Sequence, residues 1–330
     1  MRRRLVLLVS GALALAVMAL TATNALSLAG RTLFGATRHR AAANAQIAPR
    51  VEAAVARRTG GSLTTVHFYS RALHKRADYL VYLPAGYSPA RPLPVFYMLH
   101  GMPGRPMAFT VNANVEVRLD QLLRQRRVRP MILVFPDGRI DDRTSTDSEW
   151  ANTPSGDYQS YVSNVVGDVD HRFAALACRQ ERALAGLSAG AYGAANVGLH
   201  QVAQFGLIQV WSGYFRETHN GVFAHASPAT MAYDSPIDYV RTMAPALRRF
   251  PLRIFIYGGR RDPYTRQIPA MAAALQGVGA RESSAIYPGG HSWNTWTPHV
   301  DQMVVMASRD FAHPLAGARA NCTQPRARRA

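Results

Sequence analysis

Between residues 94 and 312 the chain alternates short apolar runs with segments of helical spacing. The runs are Pro94–Leu99, Met131–Phe135, Arg182–Leu187, Gly206–Trp211, Leu252–Tyr257 and Ser283–Tyr287. A continuous apolar run of this length predicts a strand covered on both faces, whereas an alternating one predicts a strand with one wet face. The segments with helical spacing are Val115–Gln125, Asp157–Ala175, Ala189–His200, Ile237–Arg248, Tyr264–Val278 and Trp293–Phe311. Within Asp157–Ala175 the positions Tyr158, Tyr161, Val162, Val165 and Val169 form one inner stripe. Strands alternating with helices predict an α/β fold with a mostly parallel central sheet and helices on both faces. Ahead of them Thr64–Ser70 and Asp78–Pro84 alternate like the two strands of a hairpin-type edge. Residues 212–236 break the rhythm. They are punctuated by Gly, Ser, Thr and Pro and carry Tyr214, Phe215 and Phe223, which predicts an excursion above the sheet.

The pattern divides the chain into four parts. Residues 1–30 read as a signal peptide or membrane anchor, 31–61 as an Ala- and Arg-rich connector, 62–314 as the α/β domain and 315–330 as a basic C-terminal tail. Arg2, Arg3 and Arg4 precede an uncharged stretch from Leu5 to Gly30, with small residues at Thr23-Asn24-Ala25 and Ser27-Leu28-Ala29. That order describes a secretory signal; its length also suits a retained membrane span. Either way the folded part is expected outside the cytoplasm, secreted or held at the outer face of the cytoplasmic membrane. The net charge of +18 over 330 residues is almost entirely arginine, Lys75 being the only lysine. The arginines are dispersed, with no basic helix or aromatic-interleaved basic stretch, so a nucleic-acid partner is not expected. Attraction to an anionic envelope is. Two cysteines, Cys178 and Cys322, in an exported chain are expected to form one disulfide. Cysteine alone cannot build a zinc site here, and neither a metal nor a cofactor is expected.

One constellation carries chemistry. Gly186-Leu187-Ser188-Ala189-Gly190 lies between an apolar strand and a helix of small residues, the pattern of a nucleophile elbow. A serine hydroxyl is a weak nucleophile at neutral pH and needs a base. His291 follows the run Ser283–Tyr287 through Pro288-Gly289-Gly290, a turn able to bring an imidazole over the sheet edge. The acid is expected after the preceding strand, where Gly258-Gly259-Arg260-Arg261-Asp262-Pro263 offers Asp262. Its competing role is as N-cap of a helix from Pro263; Asp234 and Asp301 are next in line as acid. The oxyanion donors are expected at Ala189, after the nucleophile, and at Met102 in His100-Gly101-Met102-Pro103-Gly104.

From about residue 64 to 312 the chain resembles the esterase D-type esterases, a family that includes enterochelin esterases and trehalose mycolyltransferases. The resemblance rests on Leu99-His100-Gly101, the Ser188 pentad, Gly258 to Asp262 and Gly290-His291-Ser292-Trp293-Asn294-Thr295-Trp296. Asp147-Ser148-Glu149-Trp150 followed by Tyr158-Gln159-Ser160-Tyr161 resembles the mycolyltransferase layout. It implies the α/β-hydrolase fold, Ser188, Asp262 and His291 as triad, and Met102 and Ala189 as oxyanion donors. The acid is Asp where mycolyltransferases use Glu, and their full substrate-loop signatures are absent. The expected activity is an exported serine esterase acting on acyl esters through an acyl-enzyme. A transferase passing the acyl group to a sugar hydroxyl would use the same triad. A non-catalytic envelope protein on this scaffold would be expected to lose the serine or the histidine. Trp150, Tyr214, Phe215 and Trp293, with Phe223 and Trp296, are expected to supply apolar surface to the acyl chain.

Overall fold

The strands Val95–Leu99 (β3) and Arg182–Leu187 (β7) are buried at every position because both faces of the sheet are covered. Along β3, Val95, Tyr97 and Leu99 join a core with the helices Tyr158–Arg172 and Ala189–His200, while Phe96 and Met98 are buried outside that cluster. The helix Val300–Ala312 packs against Leu207–Trp211 (β8) and against the helix Val115–Arg124. A strand that feeds two cores has no wet face, and this is why these runs lack alternation.

These features come from a computed structural model that describes residues 48–141, 147–315 and 322. The expected signal, most of the connector and the basic tail after residue 315, apart from Cys322, lie outside them. The chain divides into Met1–Val51 and Glu52–Ala330, and the second unit holds every strand of the described residues and the candidate site. Its main sheet has eight strands, in the order Ser62–Ser70 (β1), Lys75–Leu83 (β2), Ile132–Pro136 (β4), β3, β7, β8, Arg253–Gly259 (β9) and Arg281–Tyr287 (β10). Ser62–Ser70 (β1) and Lys75–Leu83 (β2) form an antiparallel hairpin, and β2 pairs antiparallel with Ile132–Pro136 (β4). From β4 to Arg281–Tyr287 (β10) every pairing is parallel, Arg253–Gly259 (β9) lying between β8 and β10. Asn152–Thr153 (β5) and Gly156–Asp157 (β6) make a separate small hairpin. Among the described residues no helix is long and apolar enough to cross a membrane.

Three expected helices are shorter or broken. Ile237–Arg248 is interrupted at Met243 and resumes as Ala244–Arg249 with Pro245 in its first turn. Tyr264–Val278 is regular only from Ile268, with Pro269 in its first turn. Trp293–Phe311 breaks near Pro298 into Trp293–Trp296, a 3-10 turn and Val300–Ala312. In each case a proline has no N–H to give to the preceding turn, so the helix restarts there. Apolar spacing alone missed this. The run Ser283–Tyr287 is the half-exposed edge strand β10, with Arg281 and Glu282 at its start.

The excursion after β8 contains a 3-10 turn at Gly221–Phe223 and a helix at Pro228–Tyr233. It is fastened to the helix behind Ser188. Tyr192 donates its hydroxyl hydrogen bond to the Asp234 carbonyl at 2.8 Å, and the Asn196 amide donates to the Asp234 carboxylate at 3.0 Å. Cys178 and Cys322 are joined by a disulfide, their Cα atoms 4.9 Å apart.

Candidate active site

β7 ends at Leu187, and Ser188 turns the chain into the helix Ala189–His200 with φ 55° and ψ −123°. A non-glycine residue held there is strained and needs its surroundings to hold it. They do so closely. A Cβ on Gly186 would fall 1.9 Å from the Gly190 carbonyl oxygen, and one on Gly190 would fall 2.1 Å from the Leu99 carbonyl oxygen. The Gly-x-Ser-x-Gly spacing is therefore a packing requirement of backbone on backbone. The Ser188 N–H donates to the Trp211 carbonyl at 3.0 Å, fixing the turn to β8 as well.

His291 reaches Ser188 from the far side of two strands. Arg260 N–H donates to the Tyr287 carbonyl and Arg261 N–H to the Gly289 carbonyl, which ties the turn after β10 to the turn after β9. His291 Nε2 lies 2.8 Å from Ser188 Oγ, and His291 Nδ1 lies 2.8 Å from Asp262 Oδ2. The Asp262 side chain is fully buried while that of His291 is 27% exposed. Burial pushes the Asp262 carboxyl up, but hydrogen bonds from His291 and from the Tyr264 N–H outweigh it, with the Ser212 hydroxyl adding to them. The group is held below the usual carboxylate range. Asp262 does not cap the following helix, which starts at Ile268; its Oδ1 accepts from the Tyr264 N–H at 3.0 Å in a local turn. Of the other acids, Asp234 is buried against Asn196 and Asp301 pairs with Arg118.

The loop expected to supply an oxyanion donor sits against the nucleophile. A Cβ on Gly101 would lie 2.9 Å from Ser188 Cβ, so Met102 follows at the rim and is 44% exposed. Ala189 begins its helix, so its N–H is among the first-turn donors without a partner inside the helix. The loop is held from behind by His100, which is fully buried. The Gly138 N–H donates to His100 Nε2 at 3.0 Å, leaving Nδ1–H to donate to the Gly101 carbonyl at 3.1 Å.

Three residues expected to touch substrate do not offer it a surface. Trp150 is 0% exposed, and its indole N–H donates to the His100 carbonyl at 3.1 Å, so it supports the Met102 loop from inside. Phe215 is likewise fully buried and belongs to the core, as does buried Phe223 within the excursion. What lies opposite each aromatic ring decides whether it faces core or solvent. Tyr214 and Trp293 stay half-buried, and Tyr264 joins them. The Tyr264 ring lies 5.0 Å from Tyr214 and 5.2 Å from His291, and Trp293 lies 5.4 Å from Trp296, which is 5.0 Å from His291. Trp296 itself is nearly buried.

Sequence reasoning missed Tyr264 and a pair of buried acids beside it. The Tyr214 hydroxyl donates to the Glu149 carboxylate. Burial pushes Glu149 up to about 7, and burial with Glu149 as neighbour pushes Glu217 up to about 9. Nothing in the local sequence around either residue signals the pairing. Among the described residues there is no cluster of His, Cys, Asp and Glu able to hold a metal ion.

The Esterase family model matches residues 70–306. An endo-1,4-beta-xylanase/feruloyl esterase of Xylanibacter ruminicola is 27% identical over 135 residues, 39% of this chain and 18% of that protein. The chain therefore aligns with less than a fifth of that relative's length. Among solved structures, a ferulic acid esterase superposes with TM-score 0.67 at 22% identity, covering 76% of this chain and 98% of that one. An S-formylglutathione hydrolase from Agrobacterium tumefaciens gives TM-score 0.64 at 17% identity, covering 77% and 96%. At such identities the likeness shows the fold, that of the α/β-hydrolases.

Proposed function

The chain belongs to the Esterase family, and from that premise we propose that it is a serine esterase that cleaves carboxylic acyl esters through an acyl-enzyme on Ser188. One observation carries the reading: the unbroken line from Ser188 Oγ through His291 to Asp262, two contacts of 2.8 Å each, set on a strained strand-to-helix turn. His291 Nε2 takes the Ser188 proton as Oγ bonds to the ester carbonyl carbon. Asp262, accepting the Nδ1 proton contact, keeps the imidazole in the right tautomer and stabilises the imidazolium. The carbonyl oxygen becomes an oxyanion beside the Ala189 and Met102 amides, a charge that buried, preoriented donors stabilise. As the tetrahedral carbon collapses, the C–O bond to the alcohol breaks and His291 gives that oxygen its proton. Water then attacks the acyl carbon while giving a proton to His291, the bond to Ser188 Oγ breaks, and His291 returns the proton to Oγ as the acid leaves. Half-buried Tyr214, Tyr264 and Trp293 supply apolar surface for the acyl group.

We infer export as well. The basic, then uncharged, first 30 residues support it, and so does the Cys178–Cys322 disulfide, since such bonds persist in oxidising compartments. The test is direct. A fluorophosphonate probe should modify the Ser188-containing peptide, and acyl esters should release free acid. No label on Ser188 would overturn the reading. A sugar acceptor that diverts the product from free acid to a new ester would make the enzyme a transferase instead.

A further inference from the structure

Asp262 has neighbours on a side that the catalytic line does not use. β8, like β7, is followed directly by a serine with a left-handed backbone: Ser212 has φ 56°, against 55° for Ser188. Ser212 is 1% exposed, and its N–H donates to the Tyr257 carbonyl at 2.7 Å, in the strand that leads to Asp262. Strain at a buried serine that touches no solvent calls for a reason in its side chain. Its Oγ accepts the Trp296 indole N–H at 2.8 Å. An indole nitrogen can only donate, so this contact occupies a lone pair of Oγ and leaves the hydroxyl proton to be given elsewhere. Asp262 belongs to the same buried cluster, hydrogen-bonded to the His291 ring that Trp296 borders, and the Ser212 hydroxyl is among the groups that hold its carboxyl low. Of its oxygens, Oδ2 serves His291 and Oδ1 serves the Tyr264 N–H, and two carboxylate oxygens have room for a third donor. Trp296 also meets the His291 ring edge-on, with centroids 5.0 Å apart, so one side chain touches both His291 and Ser212.

We propose that Ser212 and Trp296 are positioning residues of the triad: the Trp296 N–H orients the Ser212 hydroxyl, which donates to Asp262 and locks the carboxylate in the rotamer that holds His291. The inference rests on the reading of Ser188, His291 and Asp262 as the triad. No bond is made or broken in this arrangement; it fixes where the acid points before chemistry begins.

The test uses Ser212→Ala, Trp296→Phe, the double variant, and Ser212→Ala combined with Asp262→Asn, all in the full chain. Two readouts are taken with a fluorophosphonate probe, the stoichiometry of Ser188 labelling and its rate, together with kcat and KM on an acyl ester. Ser212→Ala should keep full stoichiometry but slow labelling and kcat about tenfold, the scale of one hydrogen bond to a charged group, with KM unchanged. Trp296→Phe should slow them less, and the double variant should match Ser212→Ala, because the indole acts only through the hydroxyl. In the Asp262→Asn background, loss of the Ser212 hydroxyl should change the remaining rate by less than about twofold. A wild-type labelling rate in Ser212→Ala overturns the inference. So does a loss that multiplies with that of Asp262→Asn, or a fall in stoichiometry at an unchanged rate, which would mean that Ser212 serves folding alone. Failure of the wild type itself to label at Ser188 would instead remove the triad beneath it.

Discussion

β7 and β8 lie side by side, run parallel and are each followed by a serine whose backbone is left-handed, yet Ser188 is partly exposed and Ser212 is buried. The sheet edge treats them equally. The chain beyond each serine treats them differently. After Ser188 comes a helix packed so closely that only glycine fits at 190, and the loop at Gly101 packs against the serine. After Ser212 comes the excursion, which turns back with buried Phe215 and Glu217 and is held to the helix behind Ser188. A strained serine is thus a product of strand geometry in both places. Whether such a serine stays accessible or is buried depends on what covers it.

The largest way to separate the two is to remove the exposed hydroxyl. Ser188→Ala should lower ester turnover at least about a thousandfold, because the nucleophile itself is gone, while circular dichroism and the melting temperature stay close to wild type. Retained turnover would place the chemistry elsewhere. Next comes the cover. Phe215→Ala should cost about 3–5 kcal/mol, since it leaves a cavity in a fully buried core, whereas truncating half-exposed Trp293 should cost far less stability and act on KM instead. Denaturant midpoints would show it. A stability loss for Phe215→Ala no larger than for Trp293→Ala would mean that the excursion is a loose lid.

The cover also carries a pH signature. Burial, with Glu149 nearby, raises Glu217 from its ordinary 4.5 to about 9. A raised acid binds its proton more tightly in the folded state, so the stability it contributes is complete below about pH 4.5 and lost as pH rises towards about 9. Glu149 adds a loss ending near pH 7. Glu217→Gln should therefore melt at a higher temperature than wild type at pH 9 and differ least at pH 4.5. Parallel curves for the two proteins would contradict it.

The smallest effect compares the two serines directly. Glycine relieves a left-handed backbone at the order of 1 kcal/mol. Ser188→Gly should accordingly gain stability, since its hydroxyl bonds only to the partly exposed His291. Ser212→Gly should lose stability on balance, because the buried Trp296 N–H is left without its acceptor. Equal shifts in the two melting temperatures would show that backbone strain outweighs side-chain support at both sites.

The meeting of Ser188, His291 and Asp262 was legible because each follows a strand and each turn carries its own local marks: close-packed glycines around Ser188, Gly289-Gly290 before His291, and Gly258-Gly259 before Asp262. Local backbone requirements of this kind are written within a few residues. The order of strands and helices was legible for the same reason, because burial on both faces leaves an apolar run whatever the partner.

What tertiary structure alone decided is the fate of side chains whose neighbours come from elsewhere in the chain. Trp150 and Phe215 read as ligand surface and are core, because Gly138, Gly193 and His100 close around one and the excursion's own packing around the other. Glu149 and Glu217 carry no local mark of burial, yet they are buried together around Tyr214. Ser212 gave no sign at all, since one serine after an apolar run is ordinary until Trp296 and Asp262 are brought to it. Apolar spacing and turn residues report on backbone conformation, which is a local property. Burial, hydrogen-bond partnership and protonation depend on atoms that only folding brings within a few ångströms.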